Sequence, residues 1–210
     1  MTAPPAGRPA RGGDATPYAG VIPAAGASSR MGRPKALLPV QGESFLARTV
    51  HALSRGGCSP VWVVLAAGER TMAAEAESAG ARVLYNLDPG EGPITSLRIA
   101  LAALDETTPG VAYLPVDHPM VRSETVAQLL VASRAAGAAL TVPMHEGKRG
   151  HPAIFGAALF DELADPTLVG GARTVVHRHL DRALKVDVAD SGVLADIDTP
   201  DAYSRVLGVG

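Results

Sequence analysis

Ala19-Gly-Val-Ile-Pro-Ala24 runs directly into Ala25-Gly-Ala-Ser-Ser-Arg30-Met-Gly-Arg-Pro-Lys35-Ala-Leu-Leu-Pro39, and this stretch decides the fold. The first six residues read as a short buried strand. The loop after them is built from small residues: Ala24, Ala25, Gly26 and Ala27 let the backbone approach a ligand closely. Ser28 and Ser29 offer hydroxyls, and Arg30, Arg33 and Lys35 place three cations on one short loop. Backbone N–H groups together with cations are what a triphosphate needs, Arg suiting paired phosphate oxygens and Lys acting as a point charge. The loop is not a G-x-x-x-x-G-K-[ST] motif, because Arg33-Pro34 separates Gly32 from Lys35, and it is not the dinucleotide G-x-G-x-x-G. The plain alternative is a solvated basic surface loop.

Working outward, strand and helix patterns alternate. Helices are expected at Ser44–Ser54 with Ser44 as N-cap, Glu69–Ala79, Thr95–Leu104 and Ser123–Ala136 before Gly137. Strands are expected at Val61–Ala66, Ala81–Tyr85, Val111–Val116 and Ala138–Pro143. Further on, helices are expected at Ala157–Leu163, Ala172–Leu180 and Pro200–Leu207. Short strands are expected near Ala153–Phe155, Lys185–Val188 and Ala195–Ile197. This order predicts one α/β domain, Rossmann-like, with right-handed crossovers and a mostly parallel central sheet. Ligands in such sheets bind beyond the carboxyl ends of the strands. That rule selects the loop after the first strand, the loop Asp88–Ser96, and Asp117.

Composition agrees with a single domain over residues 19–210. The chain has 210 residues, of which 47% are hydrophobic and only 4% aromatic. Small residues dominate, which suits helices lying close on a sheet and not an aromatic nucleic-acid platform. The formal net charge is −2 and no basic stripe is present, so nucleic acid and anionic membranes are not expected partners. Residues 1–18 are Pro/Gly/Ala-rich and read as a disordered tail without the apolar run of a signal peptide. Cys58 is the single cysteine, so no internal disulfide forms, and a cytoplasmic setting is the natural expectation.

The segment A-A-G-x-S-x-R-M-G-x-x-K-x-L-L-P resembles the signature of the molybdenum-cofactor nucleotidyltransferases and their wider NTP-transferase relatives. Three blocks follow in the same order: Gly92-Pro-Ile-Thr-Ser-Leu97, Leu114-Pro-Val-Asp117-His-Pro119 and Asp196-Ile-Asp-Thr-Pro-Asp201. They resemble the family's second nucleotide loop, its metal-binding block and its closing D-x-D-T-P block. Gly150-His-Pro-Ala-Ile-Phe155 and Gly171-Ala-Arg173 are similar to its acceptor-side elements. Pro23-Ala-Ala-Gly26 and Thr95-Ser96 resemble the cytidylyltransferase branch, whereas the guanylyltransferases tend to carry L-A-G-G. His118 and Val169 depart from the pattern, standing where relatives more often have Gln or Met and Asp.

The resemblance implies transfer of CMP from CTP to a phosphorylated small-molecule acceptor, the molybdenum-cofactor pterin, with release of pyrophosphate. A molybdoenzyme is a candidate protein partner. Mg²⁺ is the implied cofactor, with Asp117 and Asp198 as its ligands. Lys35, Arg30 and Asp117 are assigned to catalysis. Pro23, Ala24, Ala25, Gly26, Ser28, Arg30, Gly32, Lys35, Thr95 and Ser96 are assigned to the nucleotide, and His151 and Arg173 to the acceptor. Several readings stay open. Asp117 also suits a turn before Pro119, and Asp198 or Thr199 suits a helix cap before Pro200. Asp196 is the substitute metal ligand. The nucleotide could be GTP, the acceptor a sugar or alcohol phosphate, and a non-catalytic cofactor-binding module is the alternative from another class.

Overall fold

The computed structural model describes residues 16–26 and 34–207. In chain order the strands are β1 (Ala19–Ala24), β2 (Pro39–Val40), β3 (Glu43–Ser44), β4 (Val61–Ala66), β5 (Arg82–Asn86), β6 (Gly110–Tyr113), β7 (Leu140–His145), β8 (Lys148–Arg149), β9 (Ala153–Gly156) and β10 (Leu184–Asp187). The helices are α1 (Phe45–Arg55), α2 (Arg70–Ser78), α3 (Pro93–Ala102), α4 (Ser123–Ala136), α5 (Phe160–Ala164), α6 (Gly171–His179) and α7 (Pro200–Leu207). The main sheet runs β10-β7-β9-β6-β1-β4-β5, with β8 paired to β7. The pairs β10–β7, β6–β1, β1–β4 and β4–β5 are parallel, while β9 is antiparallel to both β6 and β7. The β2–β3 hairpin stands apart.

Each strand feeds two cores because successive side chains alternate faces. Ile22 of β1 with Val63 and Leu65 of β4 face α1, α2 and α4, meeting Leu46, Val50, Ala73 and Leu129. Val21 and Val64 face the other side, meeting Leu97 of α3, Leu163 of α5 and Val175 of α6. The sheet thus has a core on each face. Helix α1 shows how local rules set an element. Ser44 Oγ accepts from Ala47 N at 3.0 Å, and Phe45, Leu46, Thr49, Val50 and Leu53 are all buried.

Three expectations need correction. Ala195–Ile197 is not a strand: a 3₁₀ turn occupies Ser191–Leu194, and the chain runs on without pairing to the sheet. β6 stops at Tyr113, four residues before Asp117, because Pro115 supplies no N–H to continue a ladder. Tyr18 is not tail. It is 5% exposed, its hydroxyl donates to Ser133 Oγ at 3.4 Å, and the Arg134 guanidinium lies 5.2 Å from its ring centre. The rest of the expected tail, residues 1–15, lies outside the described residues. Among the described residues no helix is long and apolar enough to cross a membrane.

Candidate active site

The site forms where strand ends splay. Even-numbered N–H groups of β1 face β4, as Gly20 N bonding Pro60 O shows; odd-numbered positions face β6, where Val21 O accepts from Leu114 N. Pro23 therefore points its missing N–H toward β6 just past the place where β6 has ended. No ladder bond is lost, and the gap opens a cavity of about 480 Å³ lined by Pro23, Ala24, Ala25 and Gly26 on one wall. Lys35, Ser96, Asp117, His118, Asp196 and Asp198 line the remainder.

Lys35 is seated by a 3₁₀ turn, Lys35–Leu37, whose Ala36 is buried and followed by buried Leu38. Its ammonium donates to Asp117 Oδ2 at 3.1 Å and to Asp198 Oδ1. Burial draws the Lys35 pKa down, but the Asp198 hydrogen bond and the charges of both carboxylates outweigh it and hold it above the usual lysine value. The two acidic loops are tied together through the backbone, Ile197 N donating to Asp117 O at 2.9 Å. Ile197 is buried, so the flanking Asp196 and Asp198 turn to the cavity. Thr199, not Asp198, caps α7: its Oγ1 accepts from Ala202 N at 3.2 Å. Asp198 is thereby left to Lys35. Helix α7 is fixed beside this site by Tyr203, whose hydroxyl donates to Pro39 O at 2.7 Å and whose ring meets Phe45 edge-on at 5.8 Å.

A buried carboxylate that sequence reasoning missed holds the second acidic loop in place. Asp190 accepts from Arg122 N and Thr125 Oγ1 at the start of α4, and from Gly192 N. Gly192 sits so close to the loop after Asp117 that a Cβ there would lie 2.1 Å from Met120 O. The turn carrying Asp196 is therefore pressed against the turn carrying Asp117. Burial and then the Asp117 and Asp198 charges push the Asp196 carboxyl up to about 6, with Lys35 opposing. Asp117 Oδ1 is buried without a partner among the described residues. An orphaned, hard anionic oxygen beside further carboxylates fits a divalent cation.

The loop Asp88–Ser96 is braced by Asn86 at the end of β5. Its Nδ2 donates to Thr95 Oγ1 at 2.7 Å and to Ser96 Oγ at 3.2 Å. Gly92 opens α3 with φ +86°, a conformation that favours glycine, and Pro93 follows at the first helical position. Ser96 reaches the cavity wall. Thr95 does not line it: its hydroxyl donates to Gly92 O at 2.9 Å and braces the turn. Asn86 carried a readable signal, a buried polar residue closing an apolar strand.

A second cavity of about 720 Å³ adjoins the first and shares Pro93, Tyr113, Pro115 and His151 with it. Arg173, expected at the acceptor, lines it, with Arg98 and Arg149 adding charge to a wall that includes Val142, Phe155 and Val176. Val169, one of the departures, is exposed at this cavity. The other departure, His118, is buried with its ring 4.6 Å from that of His151. Burial pushes the His151 pKa down to about 3, with His118 and Arg149 adding to the effect, so the ring is neutral. Ser28, Arg30 and Gly32 lie outside the described residues. Cys58 is buried, which pushes its thiol up to about 12. Arg82 lies 5.4 Å over the Trp62 ring, and His179 pairs with Glu162 at 2.7 Å.

Residues 20–183 match the MobA-like NTP transferase domain. The chain is 33% identical over 197 residues to the nicotine blue oxidoreductase of Paenarthrobacter nicotinovorans, covering 90% of this chain and 95% of that one. It is 29% identical over 190 residues to a probable molybdenum cofactor guanylyltransferase of Mycobacterium tuberculosis H37Rv, covering 89% and 91%. The crystal structure of Rv0371c from Mycobacterium tuberculosis H37Rv superposes with a TM-score of 0.80 at 30% identity, over 92% of this chain and 98% of that one. Motif order, the carboxylates grouped around Lys35 and these likenesses converge, and the chain belongs to the MobA-like NTP transferase domain family of nucleotidyltransferases.

Proposed function

We propose that the protein transfers CMP from CTP to the phosphate of a molybdenum-cofactor pterin, with Mg²⁺, releasing pyrophosphate in the cytoplasm. The observation that carries this reading is the Lys35 ammonium bound between Asp117 and Asp198 in a strand-end cavity that opens into a second, partly cationic one. The acceptor phosphate carries about −1.5 to −2 charge near neutrality, so it needs no strong base. Its oxygen forms a bond to the α-phosphorus as the bond to the bridging oxygen breaks, and pyrophosphate leaves. The obstacle is crowding of anions, which positioning and fixed charge overcome. A divalent cation anchored at Asp117 would neutralise phosphate charge. Lys35 transfers its hydrogen bonds from the carboxylates to the phosphates, and Arg30 grips the triphosphate. Ser96, Ala24 and Ala25 shape the nucleotide wall, and His151 and Arg173 hold the acceptor.

Pro23-Ala24-Ala25 and Ser96 support CTP; the identity to a probable guanylyltransferase makes GTP the competitor. Pyrophosphate release across the four NTPs, with a phosphorylated pterin, a sugar phosphate and an alcohol phosphate, tests substrate and acceptor together. Calorimetry that finds GTP bound more tightly than CTP would sink the cytidylyl assignment and leave the fold untouched. A second reading, an oxidoreductase, is favoured by the 33% identity to nicotine blue oxidoreductase over most of the chain. Consumption of a reduced nicotinamide cofactor with no pyrophosphate release from any NTP would establish it in place of transfer.

A further inference from the structure

Asp117 divides its two oxygens between different tasks. Oδ2 is committed to Lys35, which also takes Asp198 Oδ1. Oδ1 faces away from that pair, buried and without a partner among the described residues. What lies near it is His118, whose Nε2 stands 3.9 Å away. That distance is too long for a hydrogen bond. Two donors on one octahedral ion, each about 2.1 Å from it, lie about 3.0 Å apart when adjacent and about 4.2 Å apart when opposite, so 3.9 Å is within reach of a shared ion. His118 is 7% exposed, and its Nδ1 also lacks a partner among the described residues. A buried imidazole nitrogen left without a hydrogen bond costs stability unless something else engages the ring. Donor atoms of Asp117, His118 and Asp196 all lie within 4.8 Å of one another. Asp198 is outside this set, and its Oδ1 accepts from Lys35.

We infer that the cation seat is made by Asp117, His118 and Asp196, with an imidazole nitrogen in the coordination shell, and that it therefore prefers a transition-metal ion such as Mn²⁺ over Mg²⁺. Mg²⁺ demands oxygen ligands and near-ideal octahedral geometry, whereas imidazole suits first-row transition ions. The seat rests on the proposed transfer reaction only in that both use Asp117.

The test is a Mn²⁺ titration of the nucleotide-free protein followed by electron paramagnetic resonance, with Mg²⁺ as competitor. The wild-type protein should bind Mn²⁺ about tenfold or more tightly than Mg²⁺ and show ¹⁴N modulation in the pulsed spectrum of its Mn²⁺ form. His118→Gln, which offers an oxygen instead, should lose the modulation and most of the Mn²⁺ preference, weakening Mn²⁺ about tenfold or more while changing Mg²⁺ less than about threefold. Asp196→Asn should weaken both ions, and Asp198→Asn should change either by less than about threefold. Wild-type Mn²⁺ spectra without ¹⁴N modulation overturn the inference, as does a His118→Gln protein that keeps the preference. Pyrophosphate release is read separately. Its absence beside clear ¹⁴N coupling removes the transfer reaction and leaves the seat; its presence without coupling does the reverse.

Discussion

Replacing Lys35 by alanine is expected to remove both turnover and a measurable part of stability. The Lys35 ammonium lies 3.1 Å from Asp117 Oδ2 and also bonds Asp198 Oδ1, on a side chain only 15% exposed. At an effective dielectric of about 20, one pair at that separation gains about 5 kcal/mol of Coulomb attraction. Desolvation of the ammonium and of Asp117 cancels most of it, and Asp198 is 46% exposed, so water screens its share. A net loss of about 1–3 kcal/mol remains, because alanine leaves Asp117, Asp196 and Asp198 grouped with no cation among them. For a chain of this length that lowers Tm by about 2–12 °C. Turnover should fall by about 10²–10³, the usual cost of one fixed donor facing developing charge. Adding Asp198→Asn to Lys35→Ala should recover part of the Tm and none of the turnover. Calorimetric melts at low salt, with pyrophosphate release on the same samples, decide the matter. A Lys35→Ala protein that melts within about 1 °C of wild type and turns over normally would refute both the ion-pair accounting and the proposed site.

Asp117→Asn should cut turnover by about 10² and lose Mg²⁺ affinity, with partial rescue at raised Mg²⁺ that Lys35→Ala does not share; equal rescue of the two variants would contradict separate roles. Asp196 is pushed up to about 6 by burial and by the charges of Asp117 and Asp198. Its contribution to stability is thus complete below the ordinary carboxylate value and is lost as pH rises through about 6. In chelator-treated buffer, Asp196→Asn should therefore raise Tm at about pH 7.5 and leave it nearly unchanged at about pH 4.5; a uniform shift at both would show that ionisation is not the cause. Tyr18→Ala should cost about 3 kcal/mol, since it empties a core position 5% exposed, and a loss below about 0.5 kcal/mol in a denaturant titration would return Tyr18 to the tail.

Strands with continuous apolar runs were legible because burial on both faces leaves little else they can be: β1 and β4 start and stop where the residues indicate. Helix α4 was equally clear, with Gly137 ending it. The two-residue strands β2, β3 and β8 have no period to read, being fixed by pairing partners and not by pattern. The direction of β9 was not readable either, since Ala153–Phe155 is as apolar forward as backward. At the site, Lys35 stands out as a cation in a small-residue loop and Asp117 as an acid past an apolar strand, whereas Asp198 follows an expected strand that does not form and Ser96 lies inside α3. The pairing of Asp198 with Lys35 depends on which residue caps α7, and Thr199 and Asp198 are equally good caps on paper. Asp190 sits in a polar run with no motif, and only the packing of Gly192 under Met120 shows its purpose. Tyr18 was lost to its neighbours: it follows a Pro/Gly-rich stretch of sequence that draws a single aromatic into the reading of a tail.

The reversal of β9 within a mostly parallel sheet has a consequence for how such a protein can diversify. A parallel strand presents only its exit to the ligand crevice; an antiparallel one presents its entrance, which is how His151, two residues before β9, comes to stand in the wall shared by both cavities. The residues on either side of that partition belong to different stretches of chain. β1, β4, β5 and β6 with their loops form one side, and the β7–β8–β9 excursion with α6 forms the other. Insertions or exchanges in residues 145–152 and 165–173 can thus recast what enters the larger cavity while Lys35, Asp117 and Asp198 keep their places. Inheritance of one half and replacement of the other is the course this topology leaves open to selection, and grafting those two segments between relatives is the corresponding route for an engineer.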